Sequence, residues 1–440
     1  MSGGGHGAEA AVAEVLERGR TDPAAAHVFT RTYAADALAA ARAADVAAPG
    51  PERPLAGLPV TIKDLFDVAG ETTLSGTSVR RGLPAAEADA VVVARLRRSG
   101  AAITGRTNMV EYAFGGVGLN PHLGTPRNPA DPDVARVPGG SSSGAAVSVG
   151  LGLAVAAVGS DTAGSVRIPA ALCGLVGFKP TQRRVPLTGA VELSRSLDSI
   201  GPIAHSVADC LTLDAVLADD PLDVAARPLS GMRLAAATTL VLDDLEPAVA
   251  TAYERALRIL ADAGASVEEV PLPQLGRIAE LNQPAGLSPI ECYAAHGELV
   301  RSRHDEVDPR VWQRMAPGHG ISAADYLAIQ DRRARWIAET ERALPSTPCC
   351  ARRCRSWRRR SPSWRPPTRP TSPRTGCSCA TPSSSAGSTA APSRCPATRP
   401  ESCRSASWSR DPAAPMPASP RWPWRPSWRS PRAERVRVRR

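Results

Sequence analysis

The chain has 440 residues and a formal net charge of +10, a length that suits one large α/β enzyme or two to three smaller domains. The charge is uneven: residues 346–440 carry 21 Arg, no Lys and 3 acids, a net of +18, which leaves residues 1–345 at −8. The body is therefore acidic and enzyme-like, and a nucleic-acid partner would have to rest on the last quarter alone. No secretory leader pattern and no strongly apolar run of about 18 residues is present, so the expected protein is soluble and cytoplasmic, with no membrane partner.

In chain order, a short amphipathic helix is expected around residues 11–16 and an Ala/Arg-rich helix over 34–47. A β-rich segment at 58–62 ends at Lys63. Residues 88–98 read as a helix closed by Ser99 and Gly100, and 101–104 as a buried strand, with Gly105 opening a loop. A long Pro/Asn/Gly section to Gly140 follows, of the kind that is commonly functional. Ser141 or Ser142 can cap a helix of small residues that Gly150 and Gly152 end, and 153–158 suits a buried strand. From Gly231 the pattern is βαβ. A strand at 233–237 precedes a helix with Pro247 in its first turn. Val249, Tyr253, Ala256, Leu257 and Leu260 form one apolar face of that helix, and a second strand spans 266–270. This order predicts an α/β fold with a parallel or mixed sheet covered by helices. Cys173, Cys210 and Cys292 are isolated and read as small buried residues, neither a disulfide framework nor a metal site.

After residue 345 the composition changes abruptly. The next 95 residues contain no Leu, Ile, Phe, Tyr or Lys, but 17 Pro and six of the eight Trp. Such a segment cannot bury a core and is not expected to form regular elements. A disordered Arg/Pro/Ser tail and a cationic interaction arm are two readings. Composition favours a third, out-of-frame translation. The body uses 30 Arg against two Lys, a mark of GC-rich codons, and such codons shifted by one base yield Arg, Pro, Ser, Trp, Cys and Ala.

The same bias singles out the only two lysines, Lys63 and Lys179. Arg cannot lose its proton, whereas a desolvated Lys can serve as a neutral base. Lys63 ends a buried strand, where desolvation is expected; a surface lysine or ion-pair partner is the alternative. Lys179 reads as structural. Residues 138–181 hold two small-residue serine loops, G-G-S-S-S-G and D-T-A-G-S, around one apolar segment. Alone, each loop reads as a turn, a cap or an anion cradle. No Walker-type lysine or G-x-S-x-G elbow accompanies them, and no histidine sits in a triad context. Serine chemistry here would need a base other than His.

With L-P-V-T-I-K-D (58–64), G-R-T-N-M-V-E-Y-A (105–113), P-G-G-S-S-S-G (138–144) and the run over 159–181, the chain resembles the amidase signature family from about residue 55 to 345. The resemblance implies an α/β fold with a mixed β-sheet covered by helices on both faces. It also implies a Ser–cis-Ser–Lys triad for hydrolysis of a carbon–nitrogen amide bond through an acyl-enzyme. Ser165 corresponds to the nucleophile, Ser141 to the bridging serine after a cis peptide bond, and Lys63 to the base. The backbone N–H groups of Thr162, Ala163, Gly164 and Ser165 correspond to the oxyanion hole. Ala163 departs from the more frequent Gly. Ser142 and Asp161 are expected to brace the loops, with Arg136 and Arg167 as further candidates. No metal or organic cofactor is implied. Expected partners are a small-molecule amide, a second copy in a homodimer, or the partner subunits of a glutamine-dependent aminoacyl-tRNA amidotransferase, whose glutaminase component shares these motifs. An inactive, frameshifted amidase is the remaining alternative, with an amidase domain at 1–345 and the tail at 346–440.

Overall fold

The computed structural model describes residues 7–47, 50, 52–222, 224, 228–344 and 349–350. The centre is a six-stranded sheet of β1 (Phe29–Thr32), β2 (Pro59–Lys63), β3 (Ala102–Thr107), β4 (Ala156–Asp161), β5 (Val176–Gly177) and β6 (Ser199–Ala204), in the order β1-β3-β2-β4-β6-β5. β2 runs parallel to both β3 and β4, whereas β1, β5 and β6 join antiparallel, so the sheet is mixed, as expected. Every residue of β2, β3, β4 and β6 is buried, which explains why these strands read as continuous apolar or small-residue runs without alternation.

Both faces are covered. The period of two sends Val60, Ile62 and Val158 into one cluster with Val92, Val93 and Leu96 of α3 (Val91–Arg98) and Cys210, Leu213 and Leu217 of α6 (Val207–Ala218). Ala157 goes the other way, to Ala145, Ala146, Val147 and Val149 of α4 (Ser143–Gly150) and to Ala170 and Cys173 of α5 (Arg167–Cys173). The residues facing each other here are nearly all Ala or Val, so α4 lies close to the sheet. α1 (Ala8–Thr21) and α2 (Ala34–Val46) pack through Ala8, Val12, Ala37 and Ala41 against Ala102 of β3. Cys173, Cys210 and Cys292 are buried, as expected.

Several boundaries differ from the sequence reading. α1 is a full helix rather than a short one, α3 starts at Val91, and β4 starts at Ala156 and runs to Asp161. Gly105 does not open a loop. β3 continues through it to Thr107, because a Cβ there would lie 2.4 Å from the Arg31 carbonyl oxygen of β1. The glycine lets a neighbouring strand approach instead of breaking its own.

The βαβ unit is present as β7 (Arg233–Ala237), α7 (Pro247–Asp262) and β8 (Ser266–Val270), with β7 and β8 parallel. It belongs to a second, three-stranded sheet, not the central one. The third strand is β9 (Cys349–Cys350), parallel to β7, which corrects the expectation that nothing after residue 345 forms a regular element. The remaining reading of 351–440 lies outside the described residues. Along the apolar face expected on α7, Val249, Tyr253, Leu257 and Leu260 are half-buried and Ala256 is exposed. Among the described residues, four more α-helices follow: α8 (Ile278–Leu281), α9 (Leu287–Ser302), α10 (Pro309–Met315) and α11 (Ala323–Ala343). α11 fully buries only Ile329 along its length.

Buried ladders and half-covered helices open with different free energies. Native-state hydrogen exchange is expected to protect the β2 and β4 amides at least ~100-fold more than those of α7 and α11. Equal protection would show that chain outside the described residues covers these helices.

Candidate active site

β2 is flanked on both sides by parallel strands, and its last residue carries a side chain with no route to solvent: Lys63 is 0% exposed. Its Nζ donates to Ser141 Oγ at 2.7 Å and to Ser160 Oγ at 2.9 Å. No carboxylate comes within ion-pair distance of it among the described residues. Burial pushes the ammonium down to about 7, against the opposing pull of Asp198 and Asp161. A group in that state holds a large neutral fraction near neutrality, which an arginine there could not.

Ser141 is delivered by the first serine loop. The Gly140–Ser141 peptide is cis, as the resemblance implied. Gly139 has φ +79°, and a Cβ on Gly140 would lie 2.9 Å from the backbone of Gly118, so both positions require glycine. The Ser141 carbonyl accepts from Val110 N at 3.0 Å. Ser142 stands at the N-cap of α4 but makes no capping hydrogen bond there. Its hydroxyl instead donates to the Ser160 carbonyl at 3.4 Å, and its N–H donates to the Ser165 carbonyl at 3.3 Å. Ser142 thus ties the two serine loops together rather than capping a helix.

The second loop turns around Asp161, the last residue of β4. Its carboxylate accepts from Gly164 N at 2.7 Å and Val166 N at 3.2 Å, and from the Arg167 guanidinium at 2.9 and 2.8 Å. Burial would raise this carboxyl, but the Arg167 pairing and the backbone donors hold it below the usual carboxylate range. The expected bracing by Ser142, Asp161 and Arg167 therefore has geometric support. Arg136 pairs with Asp131 at 2.5 Å. Lys179 Nζ donates to the Pro180 carbonyl at 2.8 Å, a local contact.

Of the four expected oxyanion donors, the Gly164 N–H donates to the Asp161 carboxylate at 2.7 Å. Gly164 has φ +125°, so its contribution is the turn itself. The N–H groups of Thr162, Ala163 and Ser165 donate to no acceptor among the described residues, and Ala163 needs no positive φ. Ser165 is 7% exposed at the loop end, beside the exposed Ala163. Its hydroxyl forms no hydrogen bond with that of Ser141 among the described residues, so the structure joins Lys63 to Ser141 directly and Ser165 to the same loop through backbone.

Two neighbours escaped the sequence reading. Ser160 is the second partner of Lys63, and Asp198 accepts from the Thr162 hydroxyl and from Leu193 N and Ser194 N at 2.9 and 3.0 Å. Ser160 lies in β4 immediately before Asp161 and was legible in principle. Asp198 lies 33 residues beyond Ser165, with no local pattern to mark it. No group of three or more His, Cys, Asp or Glu suited to a metal ion occurs among the described residues, and no helix described is long and apolar enough to cross a membrane.

The lowered pKa of Asp161 carries a stability consequence. A carboxyl depressed in the folded state contributes stability above its unfolded pKa, and that stability is lost as pH falls through the folded value. Asp161→Asn is expected to lower stability at pH 7 and to weaken the loss between about pH 5 and pH 2, measured by denaturant unfolding across that range. A pH dependence identical to wild type would contradict the role given to this carboxylate.

Comparison with known proteins bears on the chain as a whole. The family model described as Amidase matches residues 10–345. A 2-amino-5-chloromuconic acid deaminase from Comamonas testosteroni is 41% identical over 278 residues, covering 62% of this chain and 60% of that protein. One subunit of the glutamyl-tRNA(Gln) amidotransferase of Nitratidesulfovibrio vulgaris (strain DP4) is 39% identical over 282 residues, covering 60% of this chain and 57% of that one. The matched part thus spans less than two thirds of these curated relatives. A crystal structure of an amidase superposes with a TM-score of 0.69 at 34% identity, covering 78% of this chain and 77% of that one. With three quarters of its length matched by the family model, on a fold shared with a solved amidase, the chain belongs to the Amidase family.

Proposed function

We propose that the protein hydrolyses a carbon–nitrogen amide bond through an acyl-enzyme on Ser165. The observation that carries this reading is the 2.7 Å hydrogen bond between the fully buried Lys63 and Ser141. Once Nζ has lost a proton, its lone pair accepts the Ser141 proton across the same contact. Ser141 in turn accepts from Ser165, whose oxygen attacks the substrate carbonyl. The N–H groups of Thr162, Ala163 and Ser165, which meet no acceptor among the described residues, are candidates to receive the oxyanion, each donor being worth about 3 kcal/mol in comparable sites. The proton returns along the same path to the leaving nitrogen, and water then releases the acyl group. The chemistry asks only for hydroxyls, one amine and backbone dipoles.

Lys63→Ala and Ser165→Ala are each expected to lower amide hydrolysis by at least ~10³-fold. Steady-state kinetics on a simple amide check this. Ser165→Ala retaining substantial activity would overturn the assignment of the nucleophile.

A second reading is favoured by the similarity to the glutamyl-tRNA(Gln) amidotransferase: a glutaminase that passes ammonia to partner subunits. Glutaminase activity that rises when partner subunits are added supports it, whereas autonomous turnover of simple amides supports the hydrolase. No substrate beyond the amide class is assigned.

We further read residues 346–440 as out-of-frame sequence joined to an amidase domain at 1–345. The family match ends at residue 345, where the composition changes, and the half-covered α7 and α11 are what a lost covering segment would leave. This chain is therefore expected to turn over amides poorly. Coding DNA that gives a Leu/Val/Gly-rich α/β pattern in another frame past codon 345, with activity restored by the frame-corrected gene, is the predicted outcome. Normal turnover and cooperative unfolding of the 440-residue protein would contradict it.

A further inference from the structure

The nucleophile loop is anchored on two sides. Asp161 holds it from within, and Asp198 holds it from outside. Asp198 is 5% exposed and lies just before β6. One of its carboxylate oxygens accepts from the Thr162 hydroxyl, and the other accepts from Leu193 N and Ser194 N. The turn that supplies those two N–H groups is itself tied to the helices. Glu291 of α9 accepts from Ser196 N at 2.9 Å, from the hydroxyls of Ser194 and Ser196, and from the Tyr326 hydroxyl of α11 at 2.7 Å. Leu197 packs against a cluster of Leu287, Ile290 and Ile329 from the same two helices.

We propose that Asp198 is a positioning residue for the reaction: it fixes Thr162, and with it the loop that carries Ser165, to a turn latched by Glu291 and Tyr326. The proposal rests on the reading of Lys63 and Ser165 given above. The charged and titratable groups facing this region are Lys63 from β2, Asp161 paired with Arg167, and Cys292 of α9, with Lys179 in electrostatic reach of Asp161. Burial lifts the Asp198 carboxyl, while its three donors favour the anion. An anion there favours the protonated form of Lys63. It therefore offsets part of the effect of burial on the lysine, and its removal must lower the lysine pKa further.

Because the chain holds only Lys63 and Lys179, the full 440-residue protein labelled with ¹³C-lysine offers two Cε signals, and Lys63→Arg identifies one of them. In Asp198→Asn the Lys63 titration midpoint is expected to fall by at least ~0.5 pH unit. In Thr162→Val the midpoint is expected to stay in place while Ser165 labelling by a fluorophosphonate slows by at least ~10-fold. A residue that merely supports folding would move neither quantity in protein that stays folded. An unchanged midpoint in folded Asp198→Asn overturns the electrostatic part, and wild-type labelling of Thr162→Val overturns the tether. If Asp198→Asn does not fold, Thr162→Val still decides the tether. Wild-type protein that labels nowhere would instead refute the proposed nucleophile, and the lysine titration would still decide the role of Asp198.

Discussion

Burying one ammonium group among hydroxyls is the constraint on which the site depends. A charged amine taken out of water without a carboxylate in contact is costly, and in practice such a group gives up its proton instead. Lys63 has two serine hydroxyls as its hydrogen-bond partners and two carboxylates, Asp161 and Asp198, acting on it only from further away. That balance leaves the lysine near 7, neither locked as a cation nor fully neutral. Had either carboxylate closed onto Nζ, the group would be an ordinary buried ion pair and a poor base.

The rest of the central sheet follows from keeping that lysine dry and within reach of serines. Strands of Ala, Val and Gly let α4 and α5 lie close to the sheet, which brings the start of α4 and the end of β4 together above the end of β2. Gly139 and Gly140 take backbone positions that a side chain would block. Asp161 converts the end of a strand into a turn by gathering backbone N–H groups that would otherwise be unsatisfied. Lys63 sits on a strand, and Ser141 and Ser165 sit on loops that are each pinned to buried backbone, which is how a loop keeps a fixed geometry.

Much of this was legible from residue chemistry. A lysine retained in an arginine-rich chain pointed to deprotonation, and the two serine loops flanking an apolar segment pointed to a shared site. What could not be read was pairwise and long-range. Asp198 has no local signature because its role exists only once β6 lies beside β4. That the Gly164 N–H meets the Asp161 carboxylate has no mark in the sequence either, although the two residues are only three apart. Gly105 looked like a strand end because a glycine that admits a neighbour and one that ends an element are identical in sequence. The apolar face of α7 was read from its period, but periodicity names a face and not the partner that covers it. The short β9 went unforeseen because Cys349–Cys350 sits in a composition that otherwise argues against regular structure.

The central claim is that a lysine titrating near neutrality activates Ser165 through Ser141. The most direct measurement is the rate of covalent adduct formation with a fluorophosphonate across pH 5–10, followed by intact mass and peptide mapping. The account predicts a single adduct on Ser165, forming with a midpoint near 7. An adduct on any other residue, or a midpoint in the ordinary lysine range of about 10, would contradict it.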